Sequence, residues 1–227
     1  MMPLYLYLLL GSVSIPLLFS IFCIDFIKKW KQFAISTTSI AILFLIWDAF
    51  FTDLKVWGFN ENYCIGLKFL AMPIEEWLFF FVIPFCSLFI HFALTKTFPK
   101  LLLNKTITRI VSTSIIIVVT VVLILNFTKY YTAINFSLLL VTLLLAMRFY
   151  FKQLQQFLIT FLIILIPFFV VNGVLTGAAT PEPVVWYNDA ENLGIKIVTI
   201  PIEDVGYAFT MLFGNLMIFE FLNTKSK

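Results

Sequence analysis

Charge is scarce in this sequence. Asp, Glu, Lys and Arg together make up 12% of its 227 residues, about half the share of an average soluble domain. The apolar share is 62%, gathered in runs of roughly 20 residues, the length that crosses the hydrocarbon core of a bilayer as a helix. A soluble fold of this length has too little interior to hide them. Histidine occurs once, at His91, which excludes a His-rich metal centre. The cysteines, Cys23, Cys64 and Cys86, have no CxxC spacing, so neither a disulfide frame nor a zinc site is expected. The eight glycines form no GxGxxG and no phosphate loop, and no nucleotide, flavin or other cofactor is expected. A net charge of +3 gives no reason to expect a nucleic-acid partner. No Lys or Arg precedes the first apolar run and no small-residue cleavage site follows it, so that run reads as a retained helix.

What the sequence does contain is an all-α membrane protein of seven transmembrane helices. The spans are predicted at 3–25, 33–52, 73–95, 107–127, 131–150, 157–176 and 201–222. Pro16, Pro84 and Pro167 fall inside spans, which membrane helices tolerate. Eleven basic residues fall on one side: Lys28, Lys29, Lys31, Lys96, Lys100, Lys105, Arg109, Arg148, Lys152, Lys225 and Lys227. Four fall on the other: Lys55, Lys68, Lys129 and Lys196. The positive-inside rule places the eleven in the cytoplasm, with the N-terminus outside and the C-terminus cytoplasmic.

The two long outer loops match each other. NENYCIGLKFLAMPIEE, residues 60–76, and NDAENLGIKIVTIPIED, residues 188–204, share six identities in 17 ungapped positions at an offset of 128. Upstream the offset is 124: Lys28 meets Lys152, Gln32 meets Gln156, Phe33 meets Phe157, and Asp48 falls opposite Asn172. The change implies four extra residues in the second loop, around AATPEP at 178–183. Each unit is therefore three helices with a long outer loop before the third. Residues 1–95 form the first unit, 129–227 the second, and 96–128 a linker with its own helix. Without that helix a fused second copy would enter the membrane upside down. The plan is a 3+1+3 parallel tandem repeat about an axis along the membrane normal.

The sharpest chemical feature is the acidic pair after proline, Pro73-Ile74-Glu75-Glu76 and Pro201-Ile202-Glu203-Asp204. Proline and carboxylates also suit an ordinary helix start. Helix capping does not, however, require the same Ile-Glu twice with matched Asn60/Asn188 and Gly66/Gly194 upstream. Neighbouring helical residues point about 100° apart, so one acid of each pair faces the bundle axis, and the repeat identity favours Glu75 and Glu203. Asp48, near the outer end of span two, is an intramembrane acid and a functional candidate; its mate Asn172 is neutral. Trp77 and Tyr207 stand beside the acidic pairs among several aromatics whose ring faces can stabilise a cation. His91 and Glu220 lie near the cytoplasmic helix ends and read as interfacial.

The PIEE and PIED motifs, the WGFN loop and the tandem three-helix plan resemble the membrane lycopene cyclases of the heterodimeric or fused type. The resemblance covers nearly the whole chain, and both halves stand in one polypeptide. It implies a lycopene β-cyclase: proton-initiated, non-redox closure of the ends of lycopene to β-carotene, with no cofactor, in the bilayer of a bacterial cytoplasmic membrane and alongside other enzymes of carotenoid synthesis. It implies Glu75, Glu76, Glu203 and Asp204 as catalytic positions, with Asn60 and Asn188 as additions. On the reading of the residues themselves, Asp48, Asn172, Trp77 and Tyr207 are expected to bind substrate or support them, and no metal is expected. Two other readings share these features. A small-solute transporter can have the same 3+1+3 plan, since fold is not function. A membrane terpene cyclase acting on another isoprenoid, including an ε-ring, γ-ring or C50 carotenoid cyclase, uses the same chemistry. A retinal photoreceptor would need a lysine within residues 201–222, and there is none.

Overall fold

The computed structural model describes residues 3–22 and 25–225; Cys23 and Lys227 lie outside them. Among the described residues seven helices are long and apolar enough to cross a membrane. They are α1 (Leu4–Phe22), α2 (Trp30–Asp53), α3 (Ile74–Thr97), α4 (Lys105–Leu125), α5 (Tyr130–Phe149), α6 (Phe151–Leu175) and α7 (Glu203–Lys225). At 24 residues a helix such as α3 reaches about 36 Å, enough for a hydrocarbon core of about 30 Å. Large apolar side chains such as Ile46, Leu125 and Ile166 face outward, as lipid contact allows.

α1 packs on α3 and α5 on α7, while α2 crosses to α7 and α6 crosses to α3. α4 lies outside, against α5 and α6. α7 is the most enclosed helix, and α1 and α4 are the least. Close approach at α7 depends on two glycines. A Cβ on Gly206 would stand 3.2 Å from Leu139 Cδ2, and one on Gly214 3.2 Å from Ile40 Cδ1. Some polar groups inside the bundle pair between helices. Asn215 Nδ2 donates to Thr37 Oγ1 at 2.9 Å, and His91 Nδ1 meets Thr160 Oγ1 at 2.8 Å. His91 is therefore buried, not interfacial, because α6 covers that face of α3.

The helix limits depart from expectation most at the start of α6. It begins at Phe151, so a single residue, Tyr150, separates it from α5. Tyr150 leaves helical geometry at φ −129°, ψ 36°. The polar run Lys152, Gln153, Gln155 and Gln156, which reads as a loop, instead forms the first turns. Gln155 explains part of this: its side chain donates to the Leu103 carbonyl at 2.6 Å, and its own carbonyl accepts from Leu103 N–H at 3.0 Å. The α3–α4 connection is thereby tied to α6.

The loops before α3 and α7 hold short strands. β1 (Trp57–Phe59) pairs antiparallel with β4 (Val185–Tyr187), with Gly58 opposite Trp186. Gly58 is required there, since a methyl group would come within 2.3 Å of Trp186 Cζ2. β2 (Lys68–Phe69) and β3 (Met72–Pro73) form a hairpin leading into α3, and β5 (Lys196–Ile197) and β6 (Ile200–Pro201) one leading into α7. The first turns through Leu70 and Ala71, both at positive φ, and the second through Val198 at φ +61°. Left-handed backbone costs an L-residue about 1–2 kcal/mol and is worst for a β-branched one. Val198→Asn, which suits that conformation at an exposed site, is expected to raise stability by about 0.5–1 kcal/mol. Thermal unfolding in detergent would measure it.

Candidate active site

Each hairpin returns the chain over the N-terminus of the helix it precedes. Ile74 N–H donates to Leu67 O and Ile202 N–H to Ile195 O, both at 2.9 Å. Proline stands just before each of these amides, so the free donors of the first turn face the loop. The first acid of each pair then closes the loop onto the helix. Glu75 Oε1 accepts from Ile65 N–H at 2.6 Å. Glu203 Oε1 accepts from Leu193 N–H and from Thr132 Oγ1, both at 2.7 Å. Both side chains are fully buried.

The second acid of each pair, about 100° round the helix, faces the bundle. Glu76 Oε2 accepts from the Tyr5 hydroxyl of α1 at 2.5 Å. Asp204 Oδ1 accepts from the Tyr131 hydroxyl of α5, and its Oδ2 from the Tyr187 hydroxyl of β4 at 2.9 Å. Tyr187 lies in the loop, where burial, followed by the Asp204 carboxyl beside it, pushes its hydroxyl well above the ordinary tyrosine value. It stays a neutral donor. Asp48 on α2 is the third acid: Oδ1 accepts from Trp57 Nε1–H of β1 at 2.5 Å, and Oδ2 has no protein partner.

Glu76, Asp204 and Asp48 open onto one cavity of about 300 Å³ between α1, α3, α6 and α7. Its walls are mostly apolar, with Ile83, Ile164, Phe168 and Met211 among them, and Trp57 and Tyr187 roof it. Among the described residues, no Lys, Arg or His lines it. Carboxyl groups in such a site have neutral donors in place of counter-ions, so each can hold or take a proton beside an apolar ligand. Ring faces surround them: Trp57 lies 5.2 Å from Tyr131 and Trp47 4.9 Å from Tyr207, centroid to centroid.

A family model described as lycopene cyclase matches the chain twice, over residues 2–94 and 128–222. The chain belongs to the lycopene cyclase family. No curated protein and no solved structure shows significant similarity to it. The residues left between the two matches include α4, whose 105–125 lie within 95–127.

Within this family member, the cavity gathers Glu76, Asp204, Asp48, Asn172 and Tyr207 from the residues singled out by sequence. The expected inward pair is corrected. Glu75 and Glu203 do not line the cavity; they anchor the loops, and identity between repeats marks a shared structural contact. Asn60 and Asn188 are also turn builders. Asn60 Oδ1 accepts from Asn62 N–H and Asn188 Oδ1 from Ala190 N–H, each at 3.1 Å, and neither lines the cavity. Trp77 packs on Phe69 and donates to its carbonyl at 3.2 Å, outside the cavity. Tyr5, Tyr131, Tyr187 and Trp57 were missed. An offset of 126 aligns Tyr5 with Tyr131 on the first helices of the two units, and the offset of 128 aligns Phe59-Asn60 with Tyr187-Asn188. The first alignment sits in apolar sequence, where a lone identity carries little weight.

The loop-anchoring role separates two substitutions. Glu75→Gln keeps an oxygen for Ile65 N–H, and Glu75→Ala leaves that donor unpaired. The alanine variant is expected to lose about 1–3 kcal/mol, and the glutamine variant far less. Thermal unfolding of the two proteins in one detergent would read the difference, and equal stabilities would remove the anchoring role.

Proposed function

We propose that this protein is a lycopene β-cyclase, and that Glu76 and Asp204 handle the proton in the cavity where both halves of the chain meet. The observation that carries the reading is the cavity itself: three buried carboxyl groups, one from each of α2, α3 and α7, held by neutral donors in a pocket that no cationic side chain lines among the described residues. A polyene dissolved in the bilayer needs no polar path to reach it.

The protonated carboxyl of Glu76 gives its proton to the terminal double bond of lycopene. The tertiary cation that forms is attacked by the next double bond, which closes a six-membered ring and moves the charge into it. Asp204, with a phenol on each oxygen, is the carboxylate that then removes a ring proton. Removal at the ring carbon that bears the polyene gives the β ring. One proton is added and one is lost, so the product is an isomer and no oxidant or cofactor is consumed. Asp48 stands on the same cavity as a third proton-holding group. Positioned acid–base groups supply about 10²–10⁴-fold. The rings of Trp57, Tyr131 and Tyr207 shield the cation from water and favour its charge.

The same reading places the chain as a fused 3+1+3 tandem repeat with its N-terminus outside and C-terminus cytoplasmic, in a bacterial cytoplasmic membrane. The charge asymmetry of the connecting loops and the two family matches on either side of α4 support it. The acids then lie near the outer leaflet. Solute transport fits less well, because the walls are apolar and the roof of β1 and β4 covers the end of the cavity where the acids sit.

Pigment analysis of lycopene-accumulating cells expressing the chain tests the reading. Wild-type protein is expected to yield β-carotene. Glu76→Gln and Asp204→Asn are each expected to cut cyclic product by about 10²-fold or more, while Glu75→Gln retains most of it. Undiminished cyclisation in both cavity variants would sink the assignment.

A further inference from the structure

Two halves with matched acids would be expected to make two equivalent sites. The cavity instead lies mainly on one side, with Asp48, Trp57 and Tyr131 reaching it from the other. On α6 it is lined by Ile164, Phe168, Val171, Asn172 and Leu175. At the offset of 124 their counterparts on α2 are Ile40, Phe44, Trp47, Asp48 and Phe51. The substitutions that matter are Trp47 for Val171 and Phe51 for Leu175. Both rings are buried. Trp47 packs 4.9 Å from Tyr207 and 6.5 Å from Tyr131, and Phe51 4.9 Å from Trp57. On the side where a second cavity would lie, these rings fill the space.

The cavity also reaches the surface in one direction. Gly11 and Ile15 of α1 and Pro167 of α6 line it and are themselves exposed to the lipid-facing surface. A Cβ on Gly11 would meet nothing within 4 Å, so α1 leaves a gap there. At the other end, β1 and β4 close the cavity over the acids. A blind pocket of about 300 Å³ is at the lower end for a small-molecule site. It takes one end of a forty-carbon polyene and leaves the rest in the bilayer.

We infer that the chain has a single reaction cavity with one lateral mouth between α1 and α6, so that one binding event closes one ring and the second end is cyclised only after the carotenoid has left and re-entered reversed. The inference rests on the proposed cyclase activity and adds its substrate path and product order. The side chains of the mouth then decide which carotenoid ends enter, and the acids of both halves serve the same ring closure.

Full-length protein in vesicles holding excess lycopene tests the order of products. The one-ring carotene is expected to appear first, free in the lipid. Labelled one-ring carotene added during the reaction is then expected to pass into two-ring product. Two-ring product formed from the first turnover without drawing on the label would overturn the inference. Absence of any cyclic product would count against the cyclase reading itself.

The mouth is tested separately. Gly11→Phe is expected to lower turnover from bilayer lycopene roughly tenfold, with Gly11→Ala in between. At the offset that aligns Tyr5 with Tyr131, the counterpart of Gly11 is the exposed Ser137 on α5. Ser137→Phe is expected to stay within about twofold. The alanine variant adds one methyl to open space and reports on the mouth even if the phenylalanine variant folds poorly. Equal losses at Gly11 and Ser137, or none at Gly11, would place the mouth elsewhere.

Discussion

A carboxyl group buried in a membrane bundle without a cation has to be met by neutral donors, and that requirement organises the acid-bearing end of this protein. Glu75 and Glu203 are met by backbone amides of the loops that precede their helices. Glu76, Asp204 and Asp48 are met by phenols and an indole from α1, α5, β1 and β4. A lysine or arginine in the same place would fix the carboxylates as anions and leave no group able to release a proton. Phenol and indole donors hold the acids in position and leave proton transfer possible. The price is tight construction: each donor comes from a different element, so the site exists only when the loops, α1 and α5 are all docked.

The adjacent acids divide the work by helix geometry. Two consecutive side chains at a helix start cannot share one direction. The first turns back under the hairpin and the second turns into the bundle. The hairpins make the first direction available, because they bring Ile65 N–H and Leu193 N–H over the helix ends. The left-handed turns at Leu70-Ala71 and Val198 are what fold the loops tightly enough for this. Strain in an exposed turn thus contributes to holding the loop-anchoring carboxylate, while its neighbour is held at the cavity.

Much of this was legible in the residues. Seven apolar runs gave seven helices, and the doubled PIE motif marked the helix starts that carry the acids. Asp48, Asn172 and Tyr207 were singled out and line the cavity. The choice between Glu75 and Glu76 was not legible, because identity between repeats reports whatever both halves need, and both need the loop anchor. The cavity-facing position differs, Glu in one half and Asp in the other, since each acid meets a different set of phenols. Tyr5 and Tyr131 were hidden for another reason. Their partners lie 71 and 73 residues away in the chain, and within an apolar helix a tyrosine reads as lipid-interface bulk. The β1–β4 pair was out of reach because three-residue strands carry no period, and Gly58 gains its meaning only from the ring of Trp186.

Asymmetry between the halves follows from the same packing logic. At the offsets of 124 and 128, α2 matches α6 and α3 matches α7, so the contact of α3 with α6 has its counterpart in the contact of α7 with α2. Filling one with Trp47 and Phe51 gains buried ring area and rigid contacts for α7, the most enclosed helix. Val171 and Leu175 on the other side leave the cavity open. Asp48 and Asn172 diverge in the same sense: the acid sits on the filled side, where the Trp57 indole reaches it from the roof, and the neutral amide sits on the opposite cavity wall. The two matched regions each supply an acid to one pocket, Glu76 from the first and Asp204 from the second. The helix between the two matched regions, α4, packs on α5 and α6 and stays outside the cavity.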